Sequence, residues 1–253
     1  MVVYIPSYNR YTEKLAKSVK FFSQCKFPVF IIVRNTQLAE YRKLVKGTVI
    51  KIVVTKMPGV ISARNRCLKH AIKHGHDRIL MSDDDLRFYN RVNGKLQIID
   101  NPDALVSYVS TKLDRYAHVA LSNRFANNYT EENEIELGRG VRCVAYRVDI
   151  LEQNGIWFEL EGREGMHMTL RLHRLGYPNL VVYNYSQESV NKNVFDKGDN
   201  TTLEWTERTA QQLVAEHPDI VKYIEKKYKS GTRGEVRVAW KKSLKNGPIY
   251  LDV

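Results

Sequence analysis

Four short apolar runs punctuate the first third of the chain, at residues 2–5, 28–33, 49–54 and 79–81. Each is too short for a buried helix, and between them apolar residues recur at helical spacing. The stripes are Leu15, Val19 and Phe22; then Leu38, Tyr41, Leu44 and Val45; then Ala63, Cys67, Leu68, Ala71 and Ile72. Pro6 stops the first run, Thr36 and Ser62 are candidate N-caps, and Gly75 closes the third stripe. A continuous apolar run such as 28–33 suits a strand covered on both faces. The strand–helix repetition predicts an α/β fold: a mostly parallel, Rossmann-like sheet flanked by helices.

After residue 85 the pattern changes. Residues 88–99, with Asn93-Gly94 at their centre, predict a hairpin with a primed turn. Pro102 opens a helix to about residue 115. Strands are expected at 118–122, 141–148 and 181–185, and helices at 150–154 and 166–175, closed by Gly155 and Gly176. Residues 186–201 are polar and Asn-rich, as in a mobile loop, and 203–228 read as helix. With no Pro/Gly/Ser linker, the expected organisation is one domain, residues 1–202. A helical, basic extension, 203–253, packs on it.

In such sheets ligands sit at the carboxyl ends of the strands. Three suggestive segments fall there: Pro6-Ser7-Tyr8-Asn9-Arg10, Arg34-Asn35 and Ser82-Asp83-Asp84-Asp85. Three successive carboxylates repel one another unless a cation is present. Asp83 and Asp85 project to the same side of an extended segment, and hard oxygen ligands suit Mg²⁺ or Mn²⁺. A solvated, helix-capping acidic turn is the alternative; the strand-end position favours the metal. Gly59 precedes a helix whose N-terminus attracts phosphate, and Arg64 on that helix can fork onto an oxygen pair. Glu164, just before another helix, is either a dipole partner or a general base. His167, one turn on, is a possible companion, and His173 reads as a surface residue.

Charge and cysteine usage bound the partners. The chain of 253 residues has 40 Lys plus Arg against 28 Asp plus Glu, a net charge of +12. That excess favours a polyanionic partner or substrate. More than half of it lies at residues 222–245, net +7, with Tyr223, Tyr228 and Trp240 interleaved. Lys226, Lys227, Lys229, Arg233, Arg237, Lys241 and Lys242 are candidates for nucleic-acid phosphates. A solvated basic tail is the alternative. Cys25, Cys67 and Cys143 form no CxxC motif, no stretch is long enough to span a bilayer, and no leader is evident. A cytoplasmic protein with no membrane partner is expected.

Taken in order, Tyr-Ile-Pro-Ser-Tyr-Asn-Arg, Pro-Gly-Val-Ile-Ser-Ala-Arg-Asn, Ile-Leu-Met-Ser-Asp-Asp-Asp-Leu and Glu164 with its helix resemble a GT-A-fold glycosyltransferase over roughly residues 2–185. The resemblance implies that Asp83 and Asp85, as a DxD motif, contact a divalent metal held by a nucleotide-sugar diphosphate. Asp84 would touch sugar or ribose, Pro6, Tyr8, Arg10 and Arg34 would line the nucleotide, and Arg64 would pack beside it. Two features depart from the common pattern: Arg34-Asn35 replaces an acidic pair, and Glu164-Gly165 replaces Glu-Asp. Arg34, the intact Asp83-Asp84-Asp85 and the short chain look more like phage enzymes, among them TET-associated glycosyltransferases that decorate hydroxymethylated pyrimidines in DNA. The expected function is therefore metal-dependent transfer from a UDP-sugar, UDP-glucose foremost, to 5-hydroxymethylcytosine-type DNA. With Glu164 as base the transfer would invert the sugar carbon, and a phage enzyme would act in the host cytoplasm. A glycan, protein or small-molecule acceptor is the second reading and a non-catalytic nucleic-acid binder the third. The third gives no reason for the acidic triplet.

Overall fold

The computed structural model describes residues 1–12, 16–190, 202–228 and 231–251. The alternating half runs β1 (Val2–Pro6), α1 (Lys17–Phe22), β2 (Val29–Arg34), α2 (Leu38–Leu44), β3 (Lys51–Thr55), α3 (Val60–Lys73) and β4 (Arg78–Ser82). Then follow the hairpin β5 (Leu86–Val92) and β6 (Lys95–Ile98), α4 (Pro102–Lys112), β7 (His118–Asn123), β8 (Glu134–Glu136), β9 (Cys143–Arg147), α5 (Val148–Gln153), α6 (Glu164–Arg174) and β10 (Asn179–Ser189). The chain finishes with α7 (Leu203–Glu216), β11 (Val221–Tyr228) and β12 (Gly231–Val238).

Ten strands form one mixed sheet in the order β3-β2-β1-β4-β9-β7-β10-β5-β6, with β8 beside β10. The β3-β2-β1-β4 block is all parallel, as the alternation predicts. β9 runs antiparallel between β4 and β7, so β7 and its parallel neighbour β10 point the same way as β4. Successive side chains leave opposite faces of a strand. Val3 and Ile5 therefore meet α1, α2 and α4 on one face, while Val2 and Tyr4 meet α3, α5 and α6 on the other. Both faces of the central strands are covered, which explains their unbroken apolar runs.

Several local expectations are corrected. Leu15 lies outside the described residues. α2 begins after a 3-10 turn, Asn35–Gln37, so Thr36 does not cap it. α3 begins at Val60, with Gly59 at the cap position; Ser62 instead donates to the Met57 carbonyl at 3.2 Å. Gly59 holds φ +92°, a backbone conformation that favours glycine. Asn93 and Gly94 both have positive φ, giving the expected primed hairpin turn. β10 continues to Ser189, absorbing the start of the expected loop; residues 191–201 lie outside the described residues.

The larger correction is at the C-terminus. Helix ends at Glu216, and residues 221–228 pair antiparallel with β12. Pro218 excludes a continuous helix. Beyond it, period-2 spacing puts Val221 and Tyr223 opposite Val238 and Val236 on one hairpin face. The extension is thus a helix plus a hairpin. α6 is covered from both sides: Met168 and Leu172 face the sheet, while Met166 and Leu170 cluster with Leu213 and Val221. The end of the chain returns to the body, where Ile249 N–H donates to the Gly176 carbonyl and Leu251 N–H to that of Arg115.

His173, expected at the surface, is fully buried in this seam. Its Nε2 donates to Asn179 Oδ1 at 3.0 Å, and its Nδ1 lies 2.6 Å from Ser243 Oγ. Burial pulls its pKa from 6.5 down to about 4. As pH falls through 6.5 the unfolded chain binds a proton that the folded one refuses. The stability tied to neutral His173 is complete above 6.5 and is lost towards 4. Urea unfolding is expected to show about 3 kcal/mol lost through this group between pH 7 and pH 4, and His173→Asn to flatten that slope. An unaltered slope in the variant would refute the assignment.

Candidate functional site

Because β1, β2 and β4 are parallel, their carboxyl ends deliver Pro6, Arg34 and Ser82 to one edge of the sheet. Around this edge lies a cavity of about 270 Å³ lined by Pro6, Ser7, Tyr8, Arg10, Arg34, Arg64, Asp83, Asp84 and Glu164, with Thr55, Met57 and Gly59 at its side. The structure thereby gathers residues from the loop after β1, the N-terminal turns of α3 and α6, and Asp83 and Asp84 of the acidic triplet, while Asp85 lies outside the lining.

The geometry is a balance of acids and guanidiniums. Arg10 Nη1 donates to Asp84 Oδ1 at 2.5 Å and lies 3.3 Å from Asp85 Oδ2. Arg64 Nη2 donates to Asp83 Oδ1 at 2.8 Å, and its Nε lies 3.4 Å from Glu164 Oε1. Arg64 is buried, which works against its charge; Asp83 and Glu164 more than offset this and raise its pKa. Asp84 is 3% exposed, and burial pushes its carboxyl up to about 7 against the opposing pull of Arg10 and Ser7. Asp85 is nearly as buried and accepts from Ser189 Oγ at 2.7 Å, tying the end of β10 to the triplet.

Asp83 is the open member, with 31% of its side chain exposed. Its Oδ2 and Asp85 Oδ1 carry no protein partner among the described residues. Four carboxylates meet here, with Arg10 and Arg64 paired to them and Arg34 in the same lining, so the donor set is hard and oxygen-rich. That fits a divalent cation of the Mg²⁺ or Mn²⁺ kind. Among the described residues no three His, Cys, Asp or Glu form a metal site by themselves. Such a cation would draw further ligands from a bound molecule and water.

A core tyrosine shapes the first loop. Tyr41 of α2 is fully buried, yet its hydroxyl lies 2.6 Å from Ser7 Oγ and accepts from Arg10 N–H at 3.1 Å. Ser7 in turn donates to Asp84 Oδ2 at 2.5 Å. The guanidinium of Arg34 stacks over the Tyr8 ring at 3.8 Å. Sequence reading missed Ser7, Tyr41 and Ser189 as site residues. Ser7 had a signal in its position between Pro6 and Tyr8; the others come from elements whose approach only the tertiary fold reveals.

The remaining candidates lie elsewhere. His167 is buried between Glu159 and His217, with its Nδ1 3.1 Å from His217 Nε2, outside the lining of the cavity. Arg163 approaches Glu235 of β12 at 3.3 Å, and a Cβ on Gly162 would strike the Trp205 ring of α7. The C-terminal extension therefore braces the turn that presents Glu164. Lys226, Arg233 and Arg237 share one face of the β11–β12 hairpin with Lys222, whereas Lys227 is on the other. Lys241 and Lys242 are exposed on a 3-10 turn, Trp240–Lys242, and Lys229 is outside the described residues.

Residues 1–197 match the model of the TET-associated glycosyltransferase family, and the chain belongs to that family. No curated protein sequence matches it. Among solved structures, a mannosyltransferase from Pyrobaculum calidifontis, in complex with GDP-Man and Mn²⁺, is 18% identical with a TM-score of 0.55. The alignment covers 84% of this chain and 61% of that one. GalNAc-T7, with UDP, GalNAc and Mn²⁺, is 14% identical with a TM-score of 0.51, over 83% of this chain and 47% of its own. The chain thus spans less than two thirds of either relative, and the likeness is one of fold: a GT-A glycosyltransferase.

Arg64 offers a test of this electrostatic frame. Removing one partner from a buried ion pair typically costs about 3–5 kcal/mol. Arg64→Met is expected to lower the urea-unfolding free energy by about 3 kcal/mol, and adding Asp83→Asn to recover part of it. A loss below about 1 kcal/mol would show that Arg64 does not hold the two acids.

Proposed function

We propose that this protein transfers a sugar from a UDP-sugar, UDP-glucose foremost, to the hydroxyl of a 5-hydroxymethylcytosine-type base in DNA. The observation that carries the reading is the meeting of Asp83 and Glu164 at one cavity with Arg64 between them, and of Asp85 just behind it beside Arg10. Asp83 and Asp85 would hold Mn²⁺ or Mg²⁺, and the cation would stabilise charge on the departing diphosphate. Tyr8 and Arg34 form a flat stacked pair against which a nucleobase fits. Arg10, fixed by Asp84 and by the Tyr41 hydroxyl, borders the same cavity and would meet the ribose of the donor.

Glu164 is the residue suited to take the proton of the acceptor hydroxyl. Its side chain is 14% exposed, it opens α6, and Arg64 restrains its Oε1. Attack by the freed oxygen on the anomeric carbon, with UDP leaving on the opposite side, is a single displacement with inversion. A base restrained by packing and an ion pair keeps its reach without reorganising.

The family name and the charge support DNA as acceptor. On the hairpin, Lys222 faces Arg237 and Lys226 faces Arg233 in direct cross-strand register. A hairpin face carrying these basic pairs suits a polyanion. Among the described residues no helix is long and apolar enough to cross a membrane.

The test is nucleoside mass spectrometry after incubation with Mn²⁺, a panel of UDP-sugars and DNA, either plain or rich in 5-hydroxymethylcytosine. A hexose-sized gain confined to the modified base and abolished by EDTA is expected. Release of UDP with no change to DNA would overturn the acceptor. Asp85→Asn is expected to lose at least about 100-fold in rate, and Glu164→Gln about 10²–10⁴-fold. Full activity of Asp85→Asn would remove the metal assignment.

A further inference from the structure

A second concavity, about 1070 Å³, lies between the β5–β6 hairpin and residues 124–133, and shares no lining residue with the cavity at Asp83 and Asp84. Arg91, Lys95, Arg124, Phe125 and Asn127 line it, and Glu131 is its single acid. Arg91 is committed to the wall, donating to the carbonyls of Asn127, Thr130, Glu131 and Glu132 and so fixing the curve of the loop.

Arg124 is held differently. Its Nη1 donates to Glu188 Oε2 at 2.8 Å, and its guanidinium lies 5.0 Å from the Tyr89 ring centroid. Glu188 is 8% exposed, and Tyr89 donates to the same oxygen at 2.9 Å. A buried carboxylate thus anchors one corner of a guanidinium whose side chain is 46% exposed beside the concavity. This is how an arginine is preorganised for an external anion. Phe125, next along the chain, is 53% exposed.

One end of the concavity, at Arg124, lies at the edge of the acidic triplet, while Lys95 marks its other end, because β5 runs antiparallel to β10. β7 and β10 point the same way as β4, so Arg124, just past β7, emerges at the edge that carries Asp83 to Asp85. Glu188, behind Arg124, is followed directly by Ser189, which donates to Asp85.

We propose that this concavity receives the backbone and one flanking base of the acceptor polynucleotide, with Arg124 and Lys95 on phosphates and Phe125 against the base. The inference rests on the DNA-acceptor reading above and names the strand-holding surface for it. Aromatic stacking beside cations is a sequence-tolerant way to grip a nucleic acid.

The experiment uses the full chain and a fluorescent duplex containing 5-hydroxymethylcytosine, with anisotropy followed across a salt series. Lys95→Glu and Arg124→Gln are expected to raise Kd about tenfold, and Phe125→Ala about fivefold. Each cation removed should also lower the log K against log salt slope by about 1. Arg124→Gln removes the ion pair to the buried Glu188, so thermal melting accompanies it, and the two surface variants stand independently of its folding. Lys46→Glu is the charge control: it is exposed just after α2, at the opposite edge of the sheet, and should stay within about twofold of wild type. If wild type binds and Lys95→Glu and Phe125→Ala match it, this inference falls while the acceptor reading stands. Equal loss in Lys46→Glu and Lys95→Glu also overturns it. Wild type that binds no DNA overturns the acceptor reading, and this inference with it.

Discussion

Burying charge requires compensation, and that requirement organises one edge of this molecule. Asp84 and Asp85 are almost inaccessible, and Arg64 lies beneath the surface with them. Carboxylates and guanidiniums removed from water are tolerated only when they meet partners. Each partner comes from a different element: Arg10 from the loop after β1, Arg64 from α3, Glu164 from α6, Ser189 from β10. The ion pairs therefore fix where those elements end relative to one another. A reaction that needs a metal, a donor and a base in one place inherits that fixed arrangement.

The sheet divides the labour. Its parallel half exposes the carboxyl ends that border the cavity with Asp83 and Glu164. Its mixed half, from β9 to β6, carries Glu188, Tyr89 and Arg124 beside the second concavity. α6 joins the halves, one face on the sheet and the other under the C-terminal extension. Neither the helix nor its first residue, Glu164, is positioned by local sequence alone.

How far the sequence was legible follows from the range of the interactions. β1 to β4 and their helices were readable because burial on both faces imposes continuous apolar runs, and helical stripes mark each crossover. The acidic triplet stood out because carboxylates are rarely adjacent without a reason. The β11–β12 hairpin was read as helix because lysine and glutamate are good helix formers, and its alternation is visible only once Val236 and Val238 are known to face Val221 and Tyr223. His173 looked like a surface residue because its partners, Asn179 and Ser243, approach only in the folded chain. The antiparallel insertion of β9 also depends on tertiary pairing, since local pattern carries no strand direction.

Tyr41 has a consequence for how such a protein can change over time. Its ring belongs to the hydrophobic core, but its single oxygen supports Ser7 and Arg10 in the loop beside Asp84. A drift from tyrosine to phenylalanine conserves nearly all the buried volume and passes any selection that weighs packing alone. It would still unfasten the loop that holds the acid. On the proposed function, the evolutionary constraint therefore reaches an interior position outside the cavity lining. A lineage that relaxed it would be expected to lose turnover before it lost its fold.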